Sequence, residues 1–250
     1  MDSSNSFVYI GFYRTYREPS YNTEPRRPVV ELYGADSIYK SLMTSFIRTS
    51  QLELISFTCK ELCKQLQPGS VNGIEEKIGK IFYLDPGDGI ATFLVTAPGY
   101  AHITPGVEPT EQSKKEQLGA MTIVQYVRRK LEEKIGADLP LTFKSKEEVD
   151  PKDSRKQDEL VARAKDELNA YLSRINSDPD NVARLTVNEK LAKVQDSLDD
   201  VKMVMHKTIG EALKRGENID SLIQKSDQLS MQSKAFAAQA KKQNSCCVVM

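Results

Sequence analysis

The sequence predicts an α+β fold over residues 1–140, with helices covering an antiparallel sheet, followed by a long C-terminal helix. Three observations carry this reading. Four short stretches in the first half are rich in β-branched and aromatic residues and are bounded by turn formers. Between and after them, two segments repeat apolar residues at helical spacing. Beyond Pro179 the chain has no proline, and Gly210 and Gly216 are its only glycines, so little interrupts a helix there.

The strand signals are residues 7–13 (FVYIGFY), 29–33 (VVELY), 80–84 (KIFYL) and 91–97 (ATFLVTA). Asp85-Pro86-Gly87-Asp88-Gly89 joins the last two into a hairpin. Thr49 or Ser50 is placed to cap a helix over residues 51–66, on which Leu52, Ile55, Cys59, Leu62, Cys63 and Leu66 form one stripe suited to packing on a sheet. A second helix over 121–135 presents Met121, Val124, Val127, Leu131 and Ile135. Strands, helix, strands, helix is the order of an α+β sandwich. Residues 15–28 and 103–119 are polar and proline-bearing, as surface insertions are. Residues 141–185 read as a charged linker with a short helix over 155–175, closed by Ser177-Asp178-Pro179-Asp180.

Composition narrows the function classes. Thirty-five basic residues balance 35 acidic ones, which is no footprint of a nucleic-acid protein. The N-terminus MDSSNSF has neither a basic-then-apolar signal nor a Gly at position 2 for myristoylation. No apolar run approaches the roughly 18 residues that span a bilayer.

Over residues 186–243 the apolar positions alternate steps of three and four: Leu191, Val194, Leu198, Val201, Met205, Thr208 and Ala212, then Ile219, Leu222, Ser226, Leu229, Ser233, Phe236 and Ala240. That is the a/d seam of a coiled coil. Arg215 stands in the seam between the two series. A charge in a packed layer costs several kcal/mol unless partners satisfy its hydrogen bonds. It is either a register-fixing residue of a homodimer, where two guanidiniums would face each other, or part of a heteromeric bundle whose other helices supply side-chain carbonyls. Ser226 and Ser233 leave room for larger partner residues. A phosphate on either would not fit an apolar layer.

The chain ends QNSCCVVM, a tail over residues 244–250. Cys247-Val248-Val249-Met250 fits the prenylation signal of cysteine, two aliphatics and a terminal residue, with Met favouring farnesyl. Cys246 beside it is placed for a second chain, palmitoyl or prenyl.

Apolar layers broken by one arginine resemble the R-SNARE motif, in which the arginine meets three glutamines from partner SNAREs. GEALKRGENIDSLIQKSDQL, then SKAFAAQAKKQNSCC and a prenylation box, resemble the lipid-anchored longin R-SNAREs of the Ykt type. The resemblance runs over residues 191–250 and, upstream, over 46–97. It implies a profilin-like longin domain and no cofactor. It further implies a four-helix bundle with Q-SNARE helices, a SNARE disassembly machinery as partner, and no nucleic acid. Its expected place is the cytoplasm and, through covalent lipid, the cytosolic face of Golgi, vesicle and endosomal membranes. It also gives a meaning to Phe57, which lies opposite the buried stripe among Glu53, Lys60 and Lys64 with Leu54 to one side. A lone surface aromatic is ordinary. In longin SNAREs of this type an aromatic at that place helps form a groove for the domain's own lipid or SNARE helix. A lipidated coiled-coil adaptor that self-associates, with no fusion role, is the alternative from another class.

Enzyme readings fare poorly. The nearest approach to a P-loop, residues 73–81 (GIEEKIGKI), has its glycines one residue too far apart and no Ser or Thr after the lysine. His102 and His206 are far apart in sequence, and His206 reads as solvated beside the seam. Cys59 and Cys63 fall on the buried stripe with no histidine nearby, as core residues rather than metal ligands.

Overall fold

The computed structural model describes residues 7–14, 30–37, 45–64, 70–76, 79–86, 90–97, 111–136, 150–177, 202–206 and 219–245. In chain order these form β1 (Phe7–Arg14), β2 (Val30–Asp36), α1 (Ser45–Cys63), β3 (Ser70–Glu76), β4 (Gly79–Asp85), β5 (Ile90–Thr96), α2 (Glu111–Ile135), α3 (Ser154–Ser177), β6 (Lys202–His206), α4 (Ile219–Lys225) and α5 (Met231–Ser245). The fold is α+β, as the sequence predicts.

The six strands lie in the order β2-β1-β5-β4-β3-β6. The first five pair antiparallel, and β6 joins the edge parallel to β3. Strand residues alternate between two covered faces. On one, Ile10, Phe12, Phe82 and Leu94 pack under Met121, Val124, Val127 and Leu131 of α2 and Ala164, Leu168, Leu172 and Ile175 of α3. On the other, Tyr13, Ile81, Tyr83, Phe93 and Val95 pack under Ile55, Cys59, Leu62 and Cys63 of α1. Covering both faces is why β4 and β5 are buried along their whole length and read as nearly unbroken apolar runs. Each large side chain buried there contributes about 1.5–3 kcal/mol.

Several expectations are corrected. Residues 70–76 (SVNGIEE) form a strand that sequence reading missed, because Asn72, Gly73 and two glutamates hide the β signal. They pair with β4 from Ser70↔Asp85 to Glu76↔Gly79. Part of the expected insertion at 103–119 is helical, since α2 begins at Glu111. The helix expected inside a linker is a core element. Besides its apolar stripe, Asn176 receives the Phe7 amide at 3.0 Å and donates to the Phe7 carbonyl at 2.8 Å and to Ser37 Oγ at 3.2 Å. That amide side chain adds to the pairing of Phe7 with Thr96 at the start of β1.

The long C-terminal helix is the largest difference. Residues 202–206 form a strand, so Met205 and His206 stand on a sheet edge rather than a helix, His206 paired with Ile74. Residues 219–245 form two helices with a break between them. Serines make the break. Ser226 Oγ accepts the Gln228 amide at 3.1 Å, and Ser230 Oγ accepts the Ser233 amide at 3.1 Å as the N-cap of α5. Local side-chain bonds of this kind compete with helix continuation. An amphipathic helix alone in water also leaves its apolar face exposed, and most helical stability in proteins comes from packing that face. Here the chain's own domain supplies the surface.

Candidate functional site

Helix α1 has two apolar faces, and the second is the site. Leu54 and Phe57 lie on the side away from the sheet, yet they are 4% and 6% exposed. They form a cluster with Ile223 and Leu229, against which Ile219, Leu222, Phe236 and Ala237 pack. Ile219, Leu222, Leu229 and Phe236 are seam positions. Residues that the sequence leads one to expect as layers of a coiled coil are thus folded onto the domain that precedes them.

A polar clasp lies beside this patch. Glu53, one residue before Leu54 on α1, receives hydrogen bonds at one carboxylate oxygen from Ser233 Oγ at 2.6 Å, Ser230 Oγ at 2.8 Å and the Ser230 amide at 3.2 Å. The two hydroxyls stand 3.0 Å apart, and Ser233 is fully buried. The Ser233 hydroxyl foremost, then that of Ser230, holds the Glu53 carboxyl below the usual glutamate value, against the smaller opposing pull of burial. An anion at a helix N-terminus is also favoured by the helix dipole.

A second network fixes α1 to the sheet. Tyr13 and Tyr9 hydroxyls meet at 2.7 Å, Tyr9 Oη donates to Glu31 Oε1 at 2.8 Å, and Ser56 of α1 donates to Glu31 Oε2. Room for the Tyr9 ring comes from two glycines paired across β1 and β2, Gly11 and Gly34. A Cβ on either would meet Tyr9 Oη at 2.2 and 2.6 Å. Arg48 adds a two-pronged pair with Asp36, Nη2 approaching Oδ2 at 2.7 Å. Burial first, then the Glu31 carboxylate, pushes the Tyr9 phenol and the Cys59 thiol well above their ordinary values. They act as neutral structural groups. Between this network and the clasp lies a cavity of about 350 Å³, lined by Tyr9, Glu31, Asp36, Leu52, Glu53, Ser56, Phe57, Lys60, Gln228 and Leu229 among others.

The sequence-predicted residues divide accordingly. Leu54 and Phe57 are brought together with Ile219, Leu222, Leu229, Ser233 and Phe236. Ser226 is drawn out of the seam into the turn before α5, and Ala240 lies in α5. Met205 is on β6. Leu191, Val194, Leu198, Val201, Thr208, Ala212, Arg215, Cys246, Cys247 and His102 lie outside the described residues. Cys59 and Cys63 are buried core thiols, and among the described residues no group of His, Cys, Asp or Glu is arranged to hold a metal ion. The P-loop near-match is a β-hairpin. Gly79 is needed there for its backbone, with φ 126° and the Thr96 carbonyl oxygen 1.8 Å from where a Cβ would stand. Sequence reasoning missed Glu53 and Ser230. The signal it held was a glutamate beside an out-facing Leu54 and Phe57.

Among the described residues no helix is long and apolar enough to cross a membrane. Residues 190–248 match the Synaptobrevin family. The chain is 48% identical over 83 residues to the synaptobrevin homolog ykt6 of Schizosaccharomyces pombe, a stretch covering 33% of this chain and 39% of that protein. It is 53% identical over 62 residues to the VAMP-like protein YKT61 of Arabidopsis thaliana, covering 25% and 31%. To the synaptobrevin homolog YKT6 of Saccharomyces cerevisiae it is 44% identical over 84 residues, covering 34% and 38%. The match therefore spans under two-fifths of each relative's length, and none of the three bears the name of an enzyme. Residues 190–248 are thus similar to the synaptobrevin family, and the matched stretches are similar to Ykt-type members of it.

Proposed function

We propose that the chain drives vesicle fusion by zippering its seam with three Q-SNARE helices, and that the fold-back on α1 holds it inactive beforehand. The observation that carries this is the double use of Ile219, Leu222, Leu229, Ser233 and Phe236. They are seam positions by spacing, and they are docked on Leu54, Phe57 and Glu53 in the isolated chain. One side chain cannot serve both packings. Assembly is therefore slowed by the fraction of chains that are docked, as for any binding-competent minor state. Arg215 supplies the charge of the central layer, where partner glutamines accept its hydrogen bonds.

Membrane attachment rests on the tail. A farnesyl on Cys247 gives marginal, reversible binding and a second chain on Cys246 makes it firm. Membranes, Q-SNAREs and the disassembly machinery are the partners this reading needs.

The test is assembly. Mixed with cognate Q-SNARE helices, the full chain is expected to form a heat-resistant four-helix complex, faster once Phe57 is replaced by Glu. Self-association at the same rate with or without those helices would instead identify a coiled-coil adaptor.

A further inference from the structure

Glu53 and Ser230 form a contact that belongs to the docked state alone. Ser230 is not a seam position, since the layers fall at Ser226, Leu229 and Ser233. In a continuous helix its hydroxyl has no layer to serve. In the docked chain it does two things: it caps α5 by accepting the Ser233 amide, and it donates to Glu53 at 2.8 Å while its own amide reaches the same oxygen at 3.2 Å. Glu53 thereby takes up the amide of the residue that caps α5, a helix start that the expected continuous helix would not have.

We propose that Glu53–Ser230 is a latch that selects the broken, docked arrangement over the continuous helix, separately from the apolar seam. The latch rests on the docked reading given above. Hydrogen bonds to a charged acceptor are about twice as strong as neutral ones. A carboxylate with three donors on one oxygen loses all of them when α5 leaves. The apolar contacts differ in kind, because a Q-SNARE helix replaces them after release. Nothing in the seam replaces the Ser230 bond, so the latch shifts the docked population without altering the zippered product. Substituting it changes how fast the chain engages partners and leaves the stability of the assembled bundle alone.

The experiment is amide hydrogen exchange on the full chain, read peptide by peptide, for the parent, Glu53→Ala, Ser230→Ala, the double variant and Phe57→Glu. Amides of 219–245 are expected to exchange roughly ten- to a hundredfold faster in Glu53→Ala and Ser230→Ala, with β1 and β5 unchanged as a control for folding. The double variant should exceed Glu53→Ala only by the share of the cap, well short of the product of the two single accelerations. A Ser230 that acted only as the cap of α5 would accelerate exchange equally in the Glu53→Ala background, and that result overturns the latch. The melting temperature of the Ser230→Ala complex with Q-SNARE helices should equal the parent's while its assembly rate rises. Release by Phe57→Glu but not by the latch variants would sink the latch and leave the docked reading standing. Free exchange of 219–245 in the parent would sink both.

Discussion

The two faces of α1 are both apolar and both covered, but by different kinds of surface. The inner face, Ile55, Cys59, Leu62 and Cys63, meets a sheet whose strands are held by ladder hydrogen bonds and by the Tyr13–Tyr9–Glu31–Ser56 network. The outer face, Leu54 and Phe57, meets two helices of 7 and 15 residues, from which Ile219 and Leu222 also reach the edge of the inner cluster. The inner contact is part of the fold. The outer one resembles a small interface, with an apolar centre and a charged clasp at its edge. One helix can thus present a permanent and a reversible surface, because 3.6-residue periodicity separates positions 54 and 57 from 55, 59 and 62.

The strongest way to break this comparison is to cut each face in turn. Ile55 is fully buried, and Ile55→Ala should cost about 2–5 kcal/mol of global stability, seen as a lowered midpoint for the whole domain by circular dichroism. If the domain melted as before, the inner face would be no more essential than the outer. Phe57→Glu should act differently. Burying a side chain of this size is worth roughly 1.5–3 kcal/mol, but the loss is capped by the docking free energy, since α4 and α5 then leave. The domain midpoint should hold while the distance between labels on α1 and α5 grows. A global collapse in Phe57→Glu would mean that the outer face is core after all.

A third substitution separates docking from zippering. Arg215→Ala should leave partner glutamines buried without donors and cost about 1–3 kcal/mol in assembly. Arg215→Gln should be milder, because its amide rejoins the layer. Equal heat resistance of all three complexes would remove Arg215 from the central layer.

The contrast between the faces was partly legible in the sequence. Spacing placed Ile55, Cys59, Leu62 and Cys63 inward and set Phe57 opposite, because burial on a sheet imposes a periodic stripe. Heptad spacing marks the proposed seam for the same reason. What spacing could not reveal is the seam's alternative partner. A pattern of threes and fours specifies an apolar stripe and is silent about which surface covers it. The serines at 226, 230 and 233 held the missing information: side chains that hydrogen-bond nearby backbone favour turns and caps over helix interiors. Glu53 looked like an ordinary solvated charge, since its partners are more than 170 residues away in sequence. Strand β3 was obscured by Asn72 and Gly73, which a central position between β4 and β6 tolerates.

The smallest expected effect is the pH dependence of docking, and it sharpens the comparison most because only the outer face carries a carboxylate with hydroxyl donors from a reversible partner. The hydroxyls of Ser233 and then Ser230 hold the docked Glu53 carboxyl below its ordinary value. Once α5 departs, those donors go with it and the group returns to the usual range, near 4.3 for a glutamate in water. A depressed docked-state pKa means that the undocked form binds protons first. Docking is therefore fully supported above the ordinary glutamate range and weakens as pH falls through the depressed value. A distance reporter between α1 and α5 should show the fold-back loosening on acidification, with the β1–β5 amides still protected. Glu31 and Asp36 line the same cavity, so Glu53→Gln is the necessary comparison. Its amide keeps an acceptor oxygen for Ser230 and Ser233 but cannot titrate, and its docking should be weaker at neutral pH and flatter below it. A parent and a Glu53→Gln variant that loosen in parallel would assign the acid response to other carboxylates and leave Glu53 with its geometry alone.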